Sequence, residues 1–346
     1  MITADVRRAV WEAAQAAGEL PVSIAEPGQP EDRSTLRPVP AELGGGPGQY
    51  ASTLPYLLAS QHRTANQVAA VLAGRLGEVP WIAWAAATDG YLTVTVTDEA
   101  LAGLAVRIPA AESCSRSDIL RGMSVAVPPT AALTAMSWAD ARVWLAAEII
   151  GRLATEAGAD IYPSIRMGPA YCDAAGAPIQ AAITYAGRDA VKYALISQDR
   201  PTIDTVPVRH HLDNPLYAVR YAHAHAVSTL RQAADLGLSA GEAGEIAPRL
   251  LGRPPERALL DAMSWLPERV AWAVRRGRPG EFARYLEELA SAYHDCRESC
   301  PALPFGGSGA PRSEGTLRAR LWLVTAARTA IGAGLGLLGI DRPARL

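Results

Sequence analysis

The stretch Asp213-Asn214-Pro215-Leu216-Tyr217-Ala218-Val219-Arg220-Tyr221-Ala222-His223-Ala224-His225-Ala226 sets the reading of the whole chain. Asn214 is a good N-cap, and Pro215 suits a first helical position, where the missing N–H would be unpaired anyway. The spacing predicts a helix over 214–236. Tyr217 and Tyr221 stand four residues apart, so one face presents two aromatic rings with Arg220 beside them. Flat rings and a guanidinium can stack on unpaired bases. The same spacing also describes two tyrosines packed in a bundle with their hydroxyls at its rim, and periodicity alone favours that packing.

Working outward, helical periodicity continues through 255–276, 280–300 and 314–338, and strand signals almost vanish after about residue 188. The breakers are Gly252-Arg253-Pro254-Pro255, Gly277-Arg278-Pro279-Gly280 and the loop Pro301–Pro311. This half reads as a helical bundle. Toward the N-terminus the signals change. Val6, Val10, Trp11 and Ala14 share a face of a first helix over 3–17, and Val22–Ala25 is a candidate short strand. Residues 26–48 read as a Pro/Gly-rich loop. Thr64-Ala65-Asn66-Gln67 is a capping box ahead of Val68, Val71, Leu72 and Leu76. Val79–Ala85 and Tyr91–Thr97 read as strands joined at Asp89-Gly90. The fold class is therefore α+β: a small α+β domain over 1–108, a connector over 109–180 with helical pattern near Ala139–Leu153, and an all-α bundle over 181–346.

The 346 residues suffice for more than one core, and 49% hydrophobic with 20% charged residues places the chain among ordinary globular proteins. Of its 33 basic residues a single one is lysine, Lys192. Residues 1–110 carry 7 basic against 11 acidic side chains, 111–180 carry 5 against 7, and 181–346 carry 21 against 17. An excess of 4 in the last part is too small for a strong nonspecific nucleic-acid binder, so binding of that kind would be local and salt-sensitive. The start lacks the apolar core of a secretory signal, and Arg328 interrupts the apolar stretch 321–340, which reads as a core helix. A cytoplasmic protein without a membrane partner is expected, with Cys114, Cys172, Cys296 and Cys300 reduced.

The 213–226 stretch strongly resembles the first helix of the anticodon-binding (DALR) domain of arginyl-tRNA synthetases, where Asn-Pro, paired aromatics and Tyr-Ala-His-Ala recur. Gly187-Arg188-Asp189-Ala190-Val191-Lys192 is similar to the family's Gly-x-Asp-Ala-Val-Arg segment. Arg284-Tyr285-Leu286, Cys300-Pro301 and the close at Leu337-Leu338-Gly339-Ile340 with Pro343-Ala344-Arg345-Leu346 extend the resemblance across about 180–346. The N-terminal part resembles the family's appended module that grips the tRNA elbow. Gly48-Gln49-Tyr50-Ala51-Ser52-Thr53 stands where that module has Gly-Asp-Tyr-x-x-Asn, and Gly90-Tyr91-Leu92-Thr93 where it has Gly-Phe-x-Asn.

A synthetase of this class needs a His-x-Gly-His segment for the ATP phosphates and a lysine-rich loop for the pyrophosphate charge. None of the six histidines stands in such a segment, and the sole lysine cannot furnish the loop. Residues 109–179 are too few for the family's catalytic domain and read as its degenerate remnant. The resemblance then implies a non-catalytic tRNA-binding paralogue, without catalytic residues, cofactor, metal or DNA partner, an arginine tRNA being one candidate ligand. Tyr217, Arg220, Tyr221, His225 and Arg297 would form the anticodon-side surface, and Tyr50 with Gln49 the elbow-side surface. Two alternatives stay open: a protein-interaction or regulatory subunit that kept the scaffold without RNA, and an enzyme using aminoacyl-tRNA in a small-molecule pathway with its chemistry in 109–180. Other patterns read as structural. Cys296 and Cys300 with His294 lack zinc-ribbon spacing, and Gly332-x-Gly334-x-Gly336 follows a helical pattern and suits close helix packing. Gly44–Gly48 lacks a phosphate loop's lysine, and His210-His211 with Asp213 fits a solvated loop.

Overall fold

The computed structural model describes residues 2–18, 36–128, 133, 137–164, 178–198, 201–241, 247–304 and 313–346. The expected strand at Val22–Ala25 and the residue Cys172 lie outside the described residues.

The N-terminal part contains α1 (Ile2–Ala16), β1 (Leu36–Pro38), β2 (Gln49–Ser52), α2 (Leu54–Leu58), α3 (Ala65–Leu76), β3 (Ile82–Thr88), β4 (Tyr91–Val96), α4 (Asp98–Ala102) and α5 (Leu104–Ala110). The four strands form one antiparallel sheet in the order β1-β2-β4-β3. Leu92, Val94 and Val96 alternate into the core from β4, as the period-two pattern requires. Asp89 and Gly90 both take positive φ, 49° and 80°, the requirement of a two-residue hairpin whose twist matches its strands. A Cβ at Gly90 would stand 2.8 Å from the Tyr56 ring, so the position also needs glycine for space. The expected box at Thr64 and Gln67 caps α3 reciprocally. Within the Pro/Gly-rich segment, residues 36–48 carry a strand that the composition did not suggest. Leu36–Pro38 joins the sheet as an edge strand, a place that tolerates proline because one side needs no donor.

The connector is built as a β-α-β unit. β5 (Ser124–Val127) and β6 (Asp160–Pro163) pair in parallel, with α6 (Trp138–Glu156) between them in the chain. Gly151 lets α6 approach β5, since a Cβ there would come within 2.6 Å of Val127 Cγ2. Strands of four residues give too little periodicity to separate them from loop in a sequence.

The remaining helices are α7 (Pro178–Ala186), α8 (Arg188–Ser197), α9 (Pro215–Asp235), α10 (Pro254–Ser264), α11 (Leu266–Arg276), α12 (Pro279–Ser299) and α13 (Glu314–Leu338). The continuous pattern over 255–276 is split in two at Trp265 because Pro267 offers no N–H to the carbonyl four residues back. α13 is long and apolar enough to cross a membrane, yet 61% of its most apolar window is buried inside the fold. Its buried Arg320 meets the fully buried Glu256 of α10 at 2.7 Å. At its end Gly339 turns left-handed with φ 67°, and the Gly339 carbonyl accepts from Lys192 Nζ at 2.7 Å.

The two halves share one core. Arg7 of α1 pairs with Glu268 of α11, the side chains 7% and 0% exposed. The Thr3 hydroxyl donates to the Ser264 carbonyl at 3.2 Å, the Tyr50 hydroxyl donates to Ser264 Oγ at 3.0 Å, and the Gly48 N–H donates to Asp261 Oδ1 at 2.9 Å. The Tyr50 ring lies 5.1 Å from Trp265. Removing one member of a buried ion pair strands the other in low dielectric, which costs about 3–5 kcal/mol, whereas apolar replacement of both costs far less. Glu268→Ala is accordingly expected to lower stability by about 3–5 kcal/mol, and Arg7→Met with Glu268→Leu to recover most of that loss, as read by urea unfolding.

Candidate nucleic-acid interface

Asn214 fixes the start of α9: its side-chain carbonyl accepts the Tyr217 N–H at 3.3 Å, and its amide donates to the Arg209 carbonyl at 2.7 Å. From that cap, residues 217, 221 and 225 follow at one-turn intervals along one edge of the helix. Their rings form a column. His210, in the loop before α9, stacks on Tyr217 at 5.6 Å and 12°, and Tyr217 stacks on Tyr221 at 5.7 Å and 10°. α12 supplies the rest. His294 stacks on Tyr221 at 5.7 Å and 22°, and the Arg297 guanidinium lies 5.3 Å from the Tyr221 ring centre. Tyr293 meets His225 edge-on at 5.8 Å, and its hydroxyl lies 2.9 Å from His225 Nδ1. Rings at these separations attract one another, and a guanidinium over a ring adds a cation–π term.

Tyr217, Arg220, Tyr221, His225 and Arg297 are all half-buried, so each keeps a free edge while its neighbours hold its orientation. Arg220 lines a cavity of about 540 Å³ together with His210, Asn214, Tyr217 and Lys192. His225, Tyr293 and Arg297 border a second, more apolar cavity of about 660 Å³ that reaches Leu259, Pro301 and Leu323. The column thus runs between two concavities, each wide enough for a planar ring.

His225 and His294 are held neutral at pH 7. Burial pushes His225 down to about 4, helped by the Arg297 charge, and burial likewise lowers His294. His294 Nε2 donates to the Ala218 carbonyl at 3.1 Å, because a carbonyl can only accept. Cys296, near the same cavity, has its thiol pushed up to about 12 by burial, which makes it a poor nucleophile or metal ligand at neutral pH.

The five residues expected on the anticodon side therefore converge along α9 and α12. Of the elbow-side pair, Tyr50 is a correction: its ring is 0% exposed and serves the junction with Ser264 and Trp265. Gln49 is half-buried, and its side-chain carbonyl accepts the Gly46 N–H at 3.2 Å. Both sit on β2, at whose start Gly48 and Tyr50 bond to α10 and so join the halves while Gln49 closes a local turn. His210, Tyr293 and His294 were missed as members of the column. His210 stands in a loop, and the contribution of α12 depends on its packing beside α9, which no local spacing reports.

Residues 219–346 match the DALR anticodon binding domain family. The chain is 39% identical over 168 residues to an arginine–tRNA ligase of Frankia alni, a stretch covering 46% of this chain and 29% of that protein. It is 37% identical over 164 residues to that of Clavibacter sepedonicus, covering 46% and 28%. The match thus spans less than a third of these relatives' length. Among solved structures, Thermus thermophilus arginyl-tRNA synthetase has a similar fold, with TM-score 0.69 at 14% identity over 100% of both chains. Residues 219–346, a run of helices behind a small α+β part, are thus similar to a DALR-type anticodon binding domain.

The depressed His225 has a stability consequence. Between 6.5 and about 4 the unfolded chain binds a proton that the folded one refuses, so stability falls as pH drops through that window. His225→Gln is expected to flatten the fall by about 1–2 kcal/mol, discounted for partial exposure, as measured by unfolding midpoints at pH 7 and pH 4.5.

Proposed function

We propose that this chain binds the anticodon loop of a tRNA along the α9–α12 column and catalyses no aminoacylation. The column carries the reading. A run of near-parallel rings with a guanidinium over one of them is a platform on which unpaired bases stack without loss of a charged partner. His225 and His294, both neutral, contribute no charge, so affinity rests on stacking and on Arg220 and Arg297 at the borders. The match of 219–346 to an anticodon-binding family supports the choice of an anticodon loop over other single strands. Relatives that are arginine–tRNA ligases make an arginine tRNA the first isoacceptor to try. The absence from the sequence of a His-x-Gly-His segment, and its single lysine, support a role without ATP chemistry.

A second reading draws on a different observation. Tyr50, at the expected elbow contact, is engaged at the internal junction, and the formal charge is −2, both of which suit a scaffold that binds protein. Filter binding against total tRNA and against arginine-anticodon stem-loops separates the two. Tyr221→Ala is expected to weaken tRNA binding at least tenfold, since each lost stack is worth about 1–3 kcal/mol, while Tyr221→Phe keeps wild-type affinity. The logarithmic salt slope is expected near −1 to −2, on the order of two phosphate contacts. No tRNA-selective retention at low salt would refute the proposal, as would arginine-dependent pyrophosphate exchange by pure protein. A ribonuclease-resistant complex with one protein would then favour the second reading.

A further inference from the structure

His223 lies two residues before His225 and points to another side of α9, since two helical steps rotate a side chain by about 200°. There it borders a separate cavity of about 470 Å³ between α9, α13, the segment after α5 and the C-terminal tail. Arg328 of α13 and Arg342 of the tail line this cavity, and among the described residues neither guanidinium has an ion-pair or hydrogen-bond partner. The glycines seen in the sequence as Gly332-x-Gly334-x-Gly336 explain how the wall is shaped. A Cβ at Gly332 would stand 3.1 Å from His223 Nε2 and 3.5 Å from Arg342 Cδ, and one at Gly336 would stand 3.8 Å from Arg342 Cζ. The arginine stem therefore lies across bare helix backbone and carries its charge to the cavity.

His223 is held as a neutral ring. Its Nδ1 donates to the Pro343 carbonyl at 3.0 Å, so the proton sits on that nitrogen, and Nε2 has no hydrogen-bond partner among the described residues. Burial and the two arginines both disfavour a third positive charge. Across the cavity the Glu156 carboxylate accepts from the hydroxyls of Ser113 and Ser115, the latter at 2.8 Å, and Glu112 stands beside them with only an exposed partner in Arg116 at 3.5 Å. One wall is thus cationic and unpaired, and the other is an acceptor wall that repels a bare anion but receives hydroxyl donors.

We propose that this cavity binds a small phosphorylated polyol, such as a sugar phosphate, with its phosphate between Arg328 and Arg342 and its hydroxyls toward Glu156. Paired guanidiniums match the geometry of phosphate oxygens, and the carboxylate opposite selects a ligand that is anionic at one end only. The site is independent of the stacking column, which lies on another side of α9 and is bordered by other residues.

Titration calorimetry in low-chloride buffer tests this with ribose 5-phosphate, inorganic phosphate and ribose on the intact chain. Ribose 5-phosphate is expected to bind at least tenfold more tightly than either of the others. Arg328→Gln and Arg342→Gln are each expected to lose at least tenfold, with Arg231→Gln, an exposed arginine of α9, as the unaffected control. Unchanged melting curves for the variants exclude misfolding, and for a variant that melts early, competition by sulfate against ribose 5-phosphate on the wild type gives the same answer. No saturable binding of ribose 5-phosphate at millimolar concentration overturns the proposal. So does a loss of tRNA binding in Arg328→Gln without any sugar-phosphate binding, which would assign the cations to an RNA backbone.

Discussion

Arg7 and Glu268 meet where the first helix is pressed against the eleventh, and nearly all solvent is excluded from both. Either charge left alone there would cost on the order of 3–5 kcal/mol, so the pair couples the small sheet to the bundle. Around the pair, Thr3, Tyr50 and Gly48 all bond to the end of α10. Asp261 in the same seam is pushed up to about 6 by burial, against the pull of the Gly48 N–H and of nearby arginines. Its protonation on acidification relieves the desolvation cost, so this residue works opposite in sign to His225. The seam fixes α10 and α11; α12 packs on both, and its far side meets α9 at the column.

The long elements were legible in the sequence because their signals are local. Thr64 and Gln67, the spacing of Tyr217 and Tyr221, and the apolar run of α13 each announce an element within one or two turns. The break at Trp265 depended on one proline whose effect can be overridden by packing, and the β-α-β unit depended on strands too short to show a period. Resemblance to a family singled out five residues that the fold brings together along α9 and α12. It misplaced Tyr50, because a motif carries residue identity but not the surface that a neighbouring half of the chain covers.

The column itself shows how a polar, aromatic surface is kept in order without being sealed. Each ring is braced by at least one neighbour, and Tyr217 and Tyr221 by more than one, from the cap at Asn214 to the tyrosine hydroxyl on His225. Order comes from contacts across two helices, and access comes from the edges those contacts leave free. Ser113, Ser115 and Glu156 of the connector face the other cavity of α9.

Lys192 gives the molecule an unusual analytical handle. As the chain's one lysine, with its ammonium fastened to the carbonyl that closes α13, it is the one side-chain amine open to acylating reagents. Its labelling rate, followed by mass spectrometry, would report release of that carbonyl at the last helix's end, without an introduced probe.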